Sequence, residues 1–475
     1  MSGTYDLVIV GGGIAGLCAA LAAPEGARIV VIDKGEARAG SSPLAQGGIA
    51  AAVGSDDSPE LHARDTIDAG AGLCDEPTVR DICAAGPDAI AWLQALGCTF
   101  DPALDGGIDV AREGGQTVAR SVHWRDATGA EIVRALREAV RARCVERVTD
   151  PAVALAVLDG RCVGVRTSHG SYTARATLLA TGGAGGLWGH TTNALGATGD
   201  GIWLAARAGA QVADLEFMQF HPTVLDLGEG QRVLLTEALR GDGALLVDER
   251  GERFVDELAP RHVVARAILS RGRAFLDLRT IDDLEQRFPT VVAGLARHGI
   301  DPHASPVPVS PASHYFIGGV AADAEGRTSI PGLFAAGECA ATGMHGANRM
   351  AGNSLLETVV VGRRVGARAL DEPEPRTRDG FTFPVIIRWH DLDPAIPRIM
   401  WTGVGPIRDG DGLQTAVEQL DALPPTPHRN LALMIARAAR ARAESRGVHL
   451  RADLPEPDPA FAQRSFDHAP SPVRD

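Results

Sequence analysis

The chain has 475 residues, 45% hydrophobic and 22% charged, a balance that suits a globular protein of about three domains. Its 46 basic and 60 acidic residues leave a formal net charge of −14, which argues against a general nucleic-acid or anionic-membrane surface. A local basic pocket for a small anion remains compatible with that charge.

Apolar runs such as VALAV near position 155 are too short to span a bilayer, and the opening MSGTYDLVIV lacks the order of a signal peptide. The cysteines at 18, 74, 83, 98, 144, 162 and 339 form no Cys-x-x-Cys pair, so neither a metal site nor a redox dithiol is suggested. The expectation is a cytoplasmic protein with free thiols and no membrane or nucleic-acid partner.

YDLVIV at 5–10 reads as a buried parallel strand. GGGIAG follows, then the helix-forming LCAALAA and a second strand in ARIVVIDK, a β-α-β opening. Gly11, Gly13 and Gly16 spell G-x-G-x-x-G at the strand-to-helix junction, with an acid, Asp33, about 20 residues on. Gly11 permits the tight turn, Gly13 lets backbone approach a pyrophosphate, and Gly16 lets helix and sheet pack closely, with the helix N-terminus facing the phosphates. Farther along, TLLATGG at 177–183 and GLFAAGE at 332–338 are two more buried strands ending in glycine. Several distant pieces of backbone approaching one long ligand suit FAD better than NAD.

AREGGQ at 111–116 places Glu113 directly before a glycine pair. A solvated loop charge is the ordinary reading of such a residue; a carboxylate turned into a site is the other. Residues 215–317 carry different punctuation and read as a separate unit inserted into the first. The fold expected is α/β: a Rossmann-like FAD-binding domain in two parts (1–214 and 318–371), an inserted α+β capping domain (215–317), and a linker with a shortened C-terminal helical domain (372–475). DEPEPRTRDG at 371–380 marks the linker, HRNLALMIARAARARAESRG an amphipathic packing helix, and PEPDPAFAQRSFDHAPSPVRD from residue 455 a poorly ordered tail.

AQGGIA (45–50), ATGDG (197–201), FMQFHPT (217–223), TEALRGDG (236–243), PRHVVARA (260–267), HYFIGG (314–319), HGANRMAGNSLLE (345–357) and ESRGVHLRADLP (444–455) follow GGGIAGL in order. With these motifs the chain resembles, over nearly its whole length, the flavoprotein family of the succinate dehydrogenases, fumarate reductases and L-aspartate oxidases. The resemblance implies that FAD is held by Gly11, Gly13, Ile14, Ala15 and Gly16, by Asp33 and Lys34, and by Ser41, Ser42, Gln46, Gly47 and Gly48. It adds Thr181, Gly182 and Asp200 from the middle of the chain, and Glu338, Asn353, Ser354 and Leu355 from the later part. A dicarboxylate needs cationic or donor groups at both ends, and Gln219, His221, Thr236, His314 and Arg349 match the family's substrate site; Arg349 can grip a carboxylate with both arms of its planar fork. Arg261 matches the family's catalytic arginine, easier to defend as an acid or electrostatic stabiliser than as a base. Glu237 could relay protons, orient Arg261, or simply form an ion pair.

Two features choose within the family. The histidine that tethers FAD covalently in the membrane-bound members would stand five residues before Gln46, where this chain has Ser41, so noncovalent FAD is expected. Glu113 stands where the succinate and fumarate enzymes resemble one another in carrying an apolar residue, and where the aspartate-oxidising members carry R-E-G-G. A carboxylate there would pair with the ammonium of L-aspartate and repel a dianion lacking it. The chain departs from the oxidase pattern at Gln116, Trp124 and Arg125, and in its short C-terminal part.

The resemblance therefore implies FAD-dependent oxidation of L-aspartate to iminoaspartate, the first step toward quinolinate and NAD, with O₂ or fumarate as acceptor and quinolinate synthase receiving the product. A soluble fumarate reductase with noncovalent FAD is the alternative, and a flavin-binding module without turnover a third.

Overall fold

Strand Ser2–Val10 ends in a tight turn, and helix Ile14–Ala22 leaves from it, because the turn admits no side chains. Gly11 adopts φ +115°, and a Cβ there would lie 2.1 Å from the Ala180 carbonyl oxygen; a Cβ on Gly16 would lie 2.1 Å from the oxygen of Gly11. The computed structural model describes residues 2–35, 40–104, 106–226, 230–231, 233–375, 383 and 391–467.

The opening strand lies inside a seven-stranded sheet. Glu146–Thr149, Ile29–Asp33, Ser2–Val10 and Ser171–Leu179 run parallel in that order, and Leu333–Ala335 adds a fifth parallel strand beside the end of Ser171–Leu179. The meander Ala152–Leu158 and Arg161–Thr167 completes the sheet antiparallel to Ser171–Leu179. Helices Ile14–Ala22 and Asn353–Ala367 cover one face over a core of Leu7, Ile9, Leu17, Val31, Leu178 and Val361. Helices Ala395–Gly403, Gly410–Ala422 and Pro427–Ala441 share the core on the other side with Val8, Val10, Trp188 and Leu204. The C-terminal helices thus pack into the same core as the sheet.

A second sheet takes most of its strands from the inserted stretch. Met218–Leu225 pairs antiparallel with Val307–Phe316, which continues through Ala274–Asp277 to Leu245–Val247, while His190–Thr191 joins from outside that stretch. Its register jumps from Gln219 opposite Tyr315 to Phe220 opposite Ser313, leaving His314 as the extra residue of a β-bulge. Bulges of this kind re-aim a side chain beside functional sites. Of the linker read at 371–380, residues 376–380 lie outside the described residues; Glu372 and Glu374 pair with Arg161 and Arg175.

The expected loose tail is corrected up to residue 467. Phe466–Asp467 pairs with Val212–Ala213, Arg442 donates to the carbonyls of Phe461 and Gln463, and Arg464 Nε reaches Asp214 at 2.7 Å. The composition suggested disorder, but the partners lie in distant parts of the chain. Residues 468–475 are outside the described set.

Candidate active site

Parallel strands deliver their C-terminal ends to one place, and the loops that leave them wall a cavity of about 1910 Å³ that opens to solvent. It is lined by Gly11, Gly13, Ile14, Ala15, Asp33, Lys34, Ser41, Ser42, Gln46, Gly47, Gly48, Thr181, Gly182, Asp200, Glu338, Ser354 and Leu355. Lys34 and Asp200, both on the cavity wall, form an ion pair. Ser42 Oγ accepts from Ile14 N–H at 3.4 Å, and Ser41 Oγ from Ala194 N–H at 3.2 Å, so each hydroxyl keeps its own proton to donate. Buried Gln46 Oε1 has no partner among the described residues. A Gly-rich turn that only bare backbone fits, a helix N-terminus, an acid at the second strand end and an unpaired amide oxygen suit a long dinucleotide such as FAD.

The inner end is a small chamber of charge. Arg261 opens helix Arg261–Arg271, where the helix dipole disfavours a cation, so its placement needs another partner. That partner is Glu237: Arg261 Nε donates to Glu237 Oε2 at 2.5 Å, and Arg240 Nη2 lies 3.7 Å from the same oxygen. Burial alone would raise the Glu237 carboxyl, but Arg261 and Arg240 outweigh it and hold it at about 2. Arg349 is buried, its pKa pushed down to about 10 by burial and by Arg261, and its Nε and Nη1 have no partner among the described residues. Its guanidinium lies over the Tyr315 ring, 5.0 Å from the centroid. His221 and His314 sit edge to face, 5.0 Å between centroids, and burial, reinforced by Arg261, keeps both well below the usual histidine range, hence neutral. Thr236 begins the short helix Glu237–Gly241 without capping it through its side chain and lines the same chamber.

Glu113 enters this chamber from the loop after strand Val110–Ala111. It is 4% exposed, so the solvated-charge reading does not apply. Oε1 accepts from Gly48 N–H at 3.3 Å, while burial and the nearby Glu237 raise its pKa against the pull of Arg261 and Arg349. The loop is pinned on all sides. Gln116 Oε1 accepts from Glu113 N–H, Thr117 donates to Asp65, and Gly114 N–H donates to Glu237 Oε1 at 3.1 Å. Asp65 is in turn held by fully buried Arg120.

Three expected site residues stand behind the cavity wall. Gly16 is spent on helix packing, as its spacing implied. Gln219 does not line the cavity but holds its cations: Oε1 accepts from Arg261 Nη1 at 3.0 Å, and Nε2 donates to the Arg349 carbonyl at 2.7 Å. The Asn353 side chain faces helix Pro59–Ala69, its Oδ1 accepting from His62 Nε2 and its Nδ2 donating to Thr66 Oγ1, and does not line the cavity. The sequence reading missed Tyr315, Arg240 and the pair Thr192–Asn193. Tyr315 and Arg240 lie inside the quoted motifs HYFIGG and TEALRGDG; Thr192–Asn193 lies just upstream of ATGDG. Trp124 and Arg125 stack on each other outside the cavity. Among the described residues no cluster of three or more His, Cys, Asp or Glu could hold a metal ion, and no helix is long and apolar enough to cross a membrane.

Residues 6–355 match the family model described as an FAD binding domain, and residues 428–467 match that of the fumarate reductase flavoprotein C-terminus. The chain is 44% identical to an L-aspartate oxidase from Streptomyces coelicolor, covering 95% of this chain and 89% of that one. It is also 44% identical to an L-aspartate oxidase from Caulobacter vibrioides, covering 95% and 94%. An E. coli quinol fumarate reductase flavoprotein superposes with a TM-score of 0.89 at 29% identity, covering 98% and 95%.

Proposed function

This chain belongs to the FAD-binding flavoprotein family that holds the succinate dehydrogenases, fumarate reductases and L-aspartate oxidases, and from that premise we propose that it oxidises L-aspartate to iminoaspartate. The observation that carries the choice of substrate is the buried carboxylate of Glu113 in a chamber lined by buried arginines. Arg240, Arg261 and Arg349 face Glu113 and Glu237, three guanidinium groups against two carboxylates. The two carboxylates of L-aspartate can then meet the arginines while its ammonium meets Glu113, a cation that succinate lacks.

Bound FAD supplies the acceptor for the hydride that leaves C2. The chain's own residues do the rest. Arg349, whose Nε and Nη1 are unpaired, takes one carboxylate, and the neutral imidazoles of His221 and His314 with the Thr236 hydroxyl take the other. Neutral imidazoles donate without adding charge, so they do not compete with Glu113 for the balance of the site. Glu113 takes the ammonium and accepts the proton that the nitrogen releases as the C2 hydride leaves and the C–N bond becomes double, and fixing three substituents on C2 and C3 leaves the C2 hydrogen one direction in which to point. Arg261, clamped by Glu237 and Gln219, balances the charge that shifts on the carbon skeleton.

We read residues 215–317 as a cap whose Arg261 and Glu237 close over the substrate, with residues 1–214 and 318–371 holding FAD. The Gly114–Glu237 hydrogen bond joins the two sides. O₂ or fumarate would return the reduced flavin to its oxidised state, fumarate through the same two-carboxylate site. Iminoaspartate would pass to quinolinate synthase on the route to NAD. The test is aerobic turnover of the flavin-loaded protein with L-aspartate or succinate, read as hydrogen peroxide. Peroxide from L-aspartate alone is expected, and peroxide from succinate alone would replace this reading with that of a dicarboxylate dehydrogenase.

A further inference from the structure

We propose that Thr192 is a positioning residue that fixes the tautomer of His314, so that the imidazole presents Nε2–H to a substrate carboxylate; this rests on the dicarboxylate reading of the site. A neutral imidazole has one donor nitrogen and one acceptor, and its usefulness to an anion depends on which is which. His314 Nδ1 is 2.8 Å from Thr192 Oγ1, while Nε2 makes no hydrogen bond among the described residues and the side chain lines the cavity.

The hydroxyl has one proton and two candidate acceptors, His314 Nδ1 at 2.8 Å and the Ser313 carbonyl at 3.3 Å. That carbonyl already receives Thr192 N–H at 3.0 Å, and 3.3 Å is long against the roughly 2.7–2.8 Å typical of a hydroxyl donor. The proton therefore goes to Nδ1, which leaves Nε2 as the protonated nitrogen.

The segment around Thr192 is built to hold this geometry. Thr192 N–H donates to the Ser313 carbonyl and Asn193 Nδ2 to that of His314 at 2.9 Å, so one dipeptide binds the main-chain oxygens of two successive residues at the bulge. Ala194 N–H is bound by Ser41 Oγ on the cofactor side of the cavity. His314, burial-shifted to the neutral form, then acts as a donor of fixed direction.

Two measurements test this. The first is the nitrogen NMR spectrum of ¹⁵N-histidine-labelled, flavin-loaded protein without substrate, with His314 identified by difference from His314→Gln. The Nε2–H tautomer is expected in the unmodified protein and a mixture or reversal in Thr192→Val; a dominant Nδ1–H form in the unmodified protein overturns the proposal. The second is steady-state kinetics. Thr192→Val should raise KM for L-aspartate about 10-fold with kcat and flavin content little changed, and Thr192→Ser, which keeps the hydroxyl, should recover most of the loss. Equal KM values in Thr192→Val and the unmodified enzyme, or a parallel loss of flavin, also overturn it. Because the spectrum is read without substrate, failure of the unmodified enzyme to oxidise L-aspartate would count against the functional reading alone.

Discussion

Glu237 uses both oxygens to join two parts of the chain: Oε2 receives Arg261 Nε at 2.5 Å, and Oε1 receives the N–H of Gly114, the residue after Glu113. A single buried carboxylate thus sets the position of the Arg261 guanidinium and of the loop that carries the opposite charge. Since Arg261 and Arg240 hold its pKa at about 2, it keeps both bonds over the working pH range.

Replacing Arg261 by Lys keeps the charge and loses the fork that meets Glu237 and Gln219 together. Fumarate reduction should fall by about 10²-fold or more, the scale of a lost general acid. L-Aspartate oxidation should fall less, because hydride leaves from the carbon that bears nitrogen. Initial rates of both reactions on one preparation check this, and small, equal losses would remove the role assigned to Arg261.

Glu113→Gln removes the charge and retains the shape. If the carboxylate binds the substrate ammonium, kcat/KM for L-aspartate should drop about 10- to 150-fold, the equivalent of roughly 1.5–3 kcal/mol for a hydrogen bond to a charged group. Fumarate should be used as well or better. A parallel fall with both substrates would make Glu113 a support for the loop and not a determinant of specificity.

The FAD turn yields a prediction independent of turnover. With φ +115° and the Ala180 oxygen 2.1 Å from any added Cβ, Gly11→Ala should fold poorly around the turn and purify without flavin. In the unmodified protein, Ser41 offers no imidazole for a covalent bond, so acid precipitation should release all the yellow colour into the supernatant. Flavin fluorescence on the denatured band, or full flavin content in Gly11→Ala, contradicts these expectations.

Asp214 supplies a pH dependence. Burial, only partly offset by Arg464, raises its carboxyl from 3.8 to about 6. The folded state therefore holds that proton more tightly than the unfolded chain, and the group's contribution to stability is full below about 3.8 and is lost as pH rises through 6. Asp214→Asn removes the titration, and asparagine tolerates the backbone at φ +59°. The Tm of the unmodified protein minus that of Asp214→Asn should fall between pH 4 and 6 and then level off. A flat difference would mean that Asp214 stays ionised throughout.

These residues also mark what a sequence can convey. The glycine turn and the first β-α-β unit were legible because their determinants are local: Gly11, Gly13 and Gly16 act within a few residues of each other. Glu113 was legible only as a question. Its answer lies with Gly48, 65 positions away, and with Glu237, whose bond to Gly114 spans 123. The segment before residue 467 was misread for the same reason, since its Pro- and Asp-rich composition says nothing of Arg442 or Asp214. Asn353 shows a further limit: a motif places a residue near a site without saying which way its side chain turns.

The most direct test of the central claim is anaerobic mixing of the flavin-loaded protein with L-aspartate and, separately, with succinate, following the flavin's visible absorbance. Bleaching by L-aspartate and none by succinate is the result predicted. Bleaching by succinate with no response to L-aspartate would contradict the account, because it would place Glu113 beside a substrate that has no cation for it to meet.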